Sequence, residues 1–265
     1  MLTALIALPL LVLFIIYSGP VLFDLLVLAV VLLGLSEFYR MSLPAERRAE
    51  AYAAIAVGGL LTLVPILNAA ATLPALTLAT FFFTGWFLLR FRDLQSVIQH
   101  LALVFLGFLY LPLLFGHLSL LHGLPHGKEW IFLVLFIVMS GDSAAYFTGI
   151  NFGRRKLYPA ISPNKSIEGA IGGLVGSFVG ALLFKYGFFP QLSVVDCLLL
   201  GVGLGALGQV GDLFESMLKR SFGVKDSGTL IPGHGGILDR LDSLIFAFAP
   251  AYYYALWFFQ PPGIY

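Results

Sequence analysis

Residues 193–215 read SVVDCLLLGVGLGALGQVGDLFE, and residues 216–243 continue SMLKRSFGVKDSGTLIPGHGGILDRLDS. The first stretch is long and apolar enough to cross a bilayer as a helix, which takes about 20 residues. The second sets Lys219, Arg220, Lys225 and Arg240 beside Asp226, Asp239 and Asp242, around a glycine–histidine turn. Isolated charges are costly in water-poor surroundings, so such a cluster at the end of a membrane span marks a functional site.

The remainder of the chain has the character of the first stretch. Of 265 residues, 59% are hydrophobic and 11% charged, against roughly 25% charged in soluble domains. This composition predicts an all-α, polytopic integral membrane protein, since helices satisfy their own backbone groups in lipid. Fifteen Lys and Arg against 14 Asp and Glu leave a formal charge of +1, which gives no electrostatic case for a nucleic-acid partner. The single cysteine, Cys197, excludes an internal disulfide and lies in an apolar run.

Nine candidate spans fall near 1–17, 20–39, 51–69, 74–90, 97–120, 130–150, 166–187, 193–215 and 237–259. The first has no Lys or Arg before its apolar run and no small-residue cleavage site, so it reads as a span and not a signal peptide. When successive loops are assigned to alternate sides, thirteen Lys and Arg residues from Arg40 to Arg240 fall on one side. Only Lys128 and Lys185 fall on the other. Cytoplasmic loops are enriched in Lys and Arg, so the N-terminus is expected in the cytosol, the C-terminus outside, and segment 216–243 on the cytosolic face.

We expect one membrane domain over 1–265, with scaffold spans over 1–128 and catalytic spans and loops over 129–265. In the first part Asp24 and Glu37 are the acids within apolar runs, and both are expected to sit at helix ends near the interface. From Asp142 onward every span brings acids or small residues to its cytosolic end. Gly172, Gly176 and Gly180 make two successive GxxxG steps, and Gly201, Gly205 and Gly208 punctuate the next span. In lipid such residues let helix backbones approach closely.

Asp212, Glu215, Ser216 and Lys219 are spaced i, i+3, i+4 and i+7, one stripe of a helix. Asp239, Asp242 and Ser243 share a face by the same arithmetic. Two helices presenting acids at one membrane face are suited to a cation. Oxygen-only ligands, without His or Cys at metal spacing, favour Mg²⁺ over zinc. Interfacial acids paired with Lys219, Arg220 and Arg240 are the alternative. The run Lys225-Asp226-Ser227-Gly228, followed by Pro232-Gly233-His234-Gly235-Gly236, opens a helix and exposes backbone N–H groups, which suits an anion. Within it His234 is either a phosphate donor or a loop residue bonded to backbone. A second constellation comprises Asp142 in the sixth span, Arg154-Arg155-Lys156, and Ser162 to Gly169. Ser162-Pro163 reads as an N-cap with proline at the first helical position. Lys165 is then expected in the first turn of that helix, unfavourable unless an anion is bound.

The 216–242 stretch resembles the signature of the phosphatidate cytidylyltransferase (CDP-diacylglycerol synthase) family at Ser216, Lys219, Arg220, Lys225, Asp226, the Pro232-Gly-His-Gly-Gly run, Asp239, Arg240 and Asp242. Gly141-Asp142 and Ser162–Gly169 also look like that family, which more usually carries a basic residue where this chain has Asn164 and Thr where it has Ser166. The resemblance covers the C-terminal half by motif and the N-terminal half by hydropathy. It implies condensation of CTP with phosphatidic acid to CDP-diacylglycerol and pyrophosphate, at the cytosolic face of a bacterial-type inner membrane. It further implies Mg²⁺ on Asp212 and Asp239, with Asp142 and Asp242 as further ligands and room for a second cation such as K⁺ or another Mg²⁺. Asp212, Asp239, Lys165 and Lys219 would be catalytic. Lys165, Lys219, Arg220, Lys225, His234 and Arg240 would hold phosphates. Membrane lipids surround such an enzyme, and a homodimer is compatible with it. A CTP-dependent lipid kinase and a transporter of an anionic solute are the rival readings.

Overall fold

The computed structural model describes residues 2–90, 93–230 and 235–259. Its helices are α1 (Leu2–Tyr17), α2 (Pro20–Ser42), α3 (Arg48–Leu67), α4 (Thr72–Leu89), α5 (Leu94–Phe108), α6 (His117–His122), α7 (Gly127–Phe152), α8 (Ile167–Gly187), α9 (Val194–Ser221) and α10 (Leu238–Phe258). Between α7 and α8 stands a two-stranded antiparallel hairpin, β1 (Lys156–Tyr158) and β2 (Ser162–Ser166). The protein is all-α and polytopic, as its composition predicts.

Seven of the described helical segments are long and apolar enough to cross a membrane: α2, Ala45–Leu67, Ala69–Leu89, Leu94–His122, α7, α8 and α9. The nine expected spans each meet a helix, but two fall short of that standard. α1 has only 16 residues. α10 is longer, yet its start carries Asp239, Arg240 and Asp242, and Tyr252, Tyr253 and Tyr254 dilute its second half. The span expected over 97–120 is also not a plain α-helix. Leu109–Phe115 forms a π-helical turn between α5 and α6, where Pro112 lacks an N–H and Gly116 N–H reaches back to Leu111 O at 3.2 Å. This widened turn places Tyr110 against Phe38, Phe214 and Phe246.

Helix faces follow sequence spacing. Phe23, Val27, Val31, Leu35 and Phe38 recur at three- or four-residue intervals and are the buried stripe of α2, while Leu22, Leu25 and Leu33 face outward. Exposed Leu, Phe, Val and Ile side chains cover the outside of the other spans as well, a surface suited to acyl chains and not to water.

α7 and α8 meet along a seam of small residues. A methyl group added at Gly172 or Gly176 would run into Thr148 or Ala144 of α7, and one at Gly173 would meet Gln209 of α9 and come within 3.1 Å of Ala145 of α7, so the absence of side chains is what allows the approach. Ser177 Oγ, in the middle of the seam, donates to Ile137 O at 3.0 Å. α9 is fixed at both ends. Ser193 and Asp196 form a capping box at its start, and Tyr254 OH of α10 donates to Asp196 Oδ1 at 2.6 Å. At its end Gly223, with φ of 70°, turns the chain. Val224 N–H then bonds Lys219 O at 2.9 Å and Gly223 N–H bonds Arg220 O at 3.1 Å, a Schellman motif.

Loops expected on one side of the membrane gather at one end of the bundle. Buried Arg47 pairs with Glu50 at 3.0 Å, donates to Arg90 O at 3.4 Å and lies over the Phe87 ring. It thereby ties the start of α3 to the end of α4. Nearby, Asp93 caps α5 by accepting from the Gln95 and Ser96 amides, and the Gln95 bond above all holds its carboxyl below the usual range. At the opposite end Lys128 Nζ donates to Ile16 O at 2.5 Å.

Candidate functional site

The acids of α9 and α10 do converge, but they divide into two groups with different surroundings. Asp212 is half-buried, and its Oδ2 lies 2.6 Å from Lys165 Nζ of β2. Glu215, one turn on, is 1% exposed and faces inward, with Oε1 at 3.1 Å from Lys219 Nζ. Lys219 Nζ bonds Asp239 Oδ1 at 2.6 Å. The stripe read from sequence therefore stands, with Asp212 facing open space and Glu215 and Lys219 forming a buried bridge to α10.

Asp239 carries a heavy load of hydrogen bonds. Beyond Lys219 on Oδ1, its Oδ2 accepts from Ser227 N at 2.8 Å, Ser227 Oγ at 2.9 Å and Gly236 N at 2.8 Å. The carboxylate thus ties Ser227 and Gly236 to the start of α10. Gly235, with φ of 81°, turns the chain into this position, and a Cβ there would lie 2.5 Å from Asp239 Oδ2.

Glu37, read from sequence as an interfacial acid of the scaffold, is a buried partner of the same loop. Its Oε1 accepts from Ile237 N at 2.9 Å, and its Oε2 accepts from Leu238 N at 3.1 Å and Ser227 Oγ at 3.0 Å. No local signal announces this, because the partners lie 190 to 201 residues away. The one sequence clue is an acid near the end of an apolar span.

A cleft of about 850 Å³ opens between α7, the hairpin, α9 and α10. Asp142, Lys165, Asp212, Asp239, Arg240 and Asp242 line it, with the uncharged polar residues Ser162, Asn164, Ser166, Gln209 and Ser243. Tyr146, Ile150, Leu157 and Leu213 give it an apolar wall. Sequence reasoning had no reason to single out Gln209, whose Nε2 donates to Ala170 O at 3.0 Å and so anchors α9 to α8. Of the other expected phosphate contacts, Lys219 is turned into its two ion pairs, while Arg220 and Lys225 are exposed and do not line the cleft. His234 lies outside the described residues.

The hairpin corrects one expectation. Ser162 and Pro163 do not start a helix but lie in β2, with Tyr158 opposite Ser162 and Lys156 opposite Ser166. Proline disfavours helical backbone in the residue before it, and the chain pairs back on itself instead. The cap falls at Ser166, whose Oγ accepts from Gly169 N at 3.1 Å. Glu168 in the first turn accepts from the Arg154 and Arg155 amides at 3.0 and 3.2 Å. Lys165 accordingly precedes α8, and its ammonium finds a carboxylate instead of opposing a helix dipole.

Among the described residues no three Asp, Glu, His or Cys side chains group closely enough to hold a metal ion. The donor chemistry nevertheless fits a hard divalent cation. Asp142, Asp212 and Asp242 offer carboxylate oxygens to one cleft, and a cationic group, the Lys165 ammonium, already sits on Asp212. Mg²⁺ is commonly bound through one or two carboxylates plus substrate phosphates, without an all-protein cage. Asp239 fits less well, since four hydrogen bonds of 2.6–2.9 Å already occupy its oxygens, whereas Asp212 carries the Lys165 ion pair and one long bond from Ser216 Oγ at 3.4 Å.

A sequence model of the Cytidylyltransferase family matches residues 1–259. Curated relatives share substantial identity. A protein of Bacillus subtilis (strain 168) named phosphatidate cytidylyltransferase is 40% identical over 163 residues, 61% of this chain and 60% of that one. One of the same name from Staphylococcus haemolyticus (strain JCSC1435) is 41% identical over 156 residues, 59% of this chain and 56% of that one. Another, from Haemophilus influenzae, is 45% identical over 142 residues, 51% of this chain and 49% of that one. The chain thus spans about half to three-fifths of the length of the curated relatives it matches.

Proposed function

The chain belongs to the cytidylyltransferase family, and from that premise we propose that it joins CTP to phosphatidic acid, giving CDP-diacylglycerol and pyrophosphate. The observation that carries this reading is the single cleft in which Lys165 and Arg240 stand among Asp142, Asp212 and Asp242, beside an apolar wall of Tyr146, Ile150 and Leu157. Its volume suits a nucleotide with a lipid headgroup. Its mixed charge suits phosphates and a cation, and its apolar side suits the first carbons of an acyl chain.

In this reaction a phosphatidate oxygen forms a bond to the α-phosphorus of CTP, the bond from that phosphorus to the bridging oxygen of the β-phosphate breaks, and pyrophosphate leaves. A phosphomonoester is already largely ionised near pH 7, so no side chain needs to remove a proton. The protein's work is positioning and charge neutralisation. Lys165 and Arg240 hold phosphate oxygens within the cleft, and Gln209 keeps α8 and α9 in register behind them. Lys219, already bridging Glu215 and Asp239, supports the floor, with Arg220 and Lys225 at the rim. Asp142, Asp212 and Asp242 are the residues to hold Mg²⁺, which when bound neutralises triphosphate charge. Asp239 holds the loop. We place this end of the bundle in the cytosol, on the distribution of Lys and Arg among the loops, where CTP is available.

The test is product analysis with purified protein in lipid nanodiscs containing phosphatidic acid. Release of pyrophosphate with formation of CDP-diacylglycerol supports the proposal. Release of CDP with a newly phosphorylated lipid establishes a CTP-dependent kinase, and turnover of neither kind leaves the transporter reading.

A further inference from the structure

α2 ends beside the start of α10, and the contact between them is unusual in kind. The first N–H groups of an α-helix have no partner within the helix. At α10 the residue in the cap position is Ile237, which has no side chain able to accept them. Glu37 supplies the missing acceptor from a helix 200 residues away, with Oε1 on Ile237 N at 2.9 Å and Oε2 on Leu238 N at 3.1 Å. A carboxylate there also complements the positive end of the helix dipole.

The same carboxylate grips the loop that leads into α10. Ser227 Oγ is 3.0 Å from Glu37 Oε2 and 2.9 Å from Asp239 Oδ2. A hydroxyl has one proton, so it donates to one carboxylate at a time and holds the two acids in a shared arrangement. The fit is close on every side. A Cβ at Gly228 would lie 2.6 Å from Glu37 Oε1, and one at Gly236 would collide with Oε2. Glu37 is 7% exposed, and it lies on a helix that contributes nothing to the wall of the cleft.

We propose that Glu37 is a positioning residue for the reaction: it fixes Ser227 and the first turn of α10, and through them the orientation of Asp239, Arg240 and Asp242 in the cleft. This inference rests on the cytidylyltransfer reading above. Glutamine cannot replace the carboxylate. Its NH₂ must face either the Ile237 N–H or the Leu238 N–H, so one backbone donor meets another donor whichever way the amide turns.

The experiment compares wild type, Glu37→Gln and Glu37→Asp in nanodiscs, measuring pyrophosphate release and amide hydrogen exchange. Glu37→Gln is expected to lower kcat/KM for CTP by about 100-fold, the scale of a displacement of about 1 Å in a reacting group. Part of that loss appears as a raised KM for CTP. Partial unfolding alone would lower kcat and leave that KM unchanged. Amides of Ile237 and Leu238 should exchange faster in Glu37→Gln, and Glu37→Asp, which keeps the charge, should recover part of both properties. If Glu37→Gln does not fold, Gly228→Ala decides by the same readouts, since its methyl group presses on the carboxylate without removing it. Unchanged exchange, or an unchanged KM for CTP, in the folded variant would overturn the inference. If wild type releases no pyrophosphate, the reaction assigned above is wrong, and the exchange measurement still tests the anchor.

Discussion

Asp212 and Asp239 look alike in sequence, and Asn substitutions separate them. In Asp239→Asn the amide keeps one oxygen. Facing Ser227 and Gly236, that oxygen retains the two backbone bonds and turns the NH₂ toward Lys219, 2.6 Å from the lost Oδ1. A charge-assisted hydrogen bond is worth about 1.5–3 kcal/mol, and breaking a buried ion pair costs about 3–5 kcal/mol. The side chains of Lys219 and Asp239 are 13% and 6% exposed, so screening is slight. Lys219 retains Glu215 at 3.1 Å, which sets the cost near the lower end, about 3 kcal/mol. At about 2–4 °C per kcal/mol for a chain of this size, the melting midpoint falls by roughly 6–12 °C. In the Lys165–Asp212 pair both side chains are 29% exposed, so its loss costs about 0–1 kcal/mol and moves the midpoint little. Activity falls in both variants. The assay is thermal unfolding in detergent with a thiol-reactive dye, for which the single cysteine, buried Cys197, is a built-in reporter. Midpoints for Asp239→Asn and Asp212→Asn that agree within about 2 °C, less than 1 kcal/mol is expected to produce, would refute the division of labour drawn here.

On the α7–α8 seam, Gly141→Ala should lower stability by about 1–3 kcal/mol, because its methyl group meets Ser177 Oγ and lies 3.3 Å from Gly173 O; Gly203→Ala, with nothing within 4 Å, is the control, and equal melting midpoints for the two would count against the seam. With Cys197 replaced, cysteines introduced by Ala45→Cys, Gln95→Cys and Thr229→Cys should react with an impermeant thiol reagent only from the cytosolic side, and Gly123→Cys only from outside; the reverse pattern would invert the orientation. Incubation with α-labelled CTP without phosphatidic acid should leave the denatured protein unlabelled, as direct transfer requires, whereas a cytidylyl adduct on Ser216 or Ser243 that the lipid then chases into product would establish two steps.

The spans were legible because lipid imposes a long apolar run on any helix that crosses it, and each candidate range meets a helix within a few residues. The convergence of Asp142, Asp212 and Asp242 was legible for a related reason: alternation alone puts those span ends on one side. What sequence could not give was set by contacts between distant segments. Ser162-Pro163 carries a convincing helix-start pattern, but the pairing of Lys156–Tyr158 with Ser162–Ser166 overrides it and leaves the cap to Ser166. Pro112 within an apolar run gave no sign of a π turn. Glu37 reads in sequence as an interfacial acid because its carboxylate is meaningful only beside Ser227, Ile237 and Leu238. Asp239 matched a signature expected to bind metal, and its full set of hydrogen bonds is visible only once the loop is folded around it.

The seam between α7 and α8 also governs how this chain can change over generations. Glycine is the smallest residue, so at Gly172, Gly173 and Gly176 every replacement enlarges the side chain and requires Thr148, Gln209 or Ala144 to shrink or move in the same step. A core of leucine and isoleucine drifts by many paired swaps that conserve volume, whereas here Ala144 has only a single methyl group to give up and Gln209 is held by its bond to Ala170 O. Variation is channelled instead to outward positions such as Val175, Val179 and Leu183, where fluid acyl chains accommodate any apolar shape. On α8 the two regimes alternate within a single turn, so a lineage can exchange the lipid-facing side of this helix freely while the side that frames the cleft remains as it was inherited.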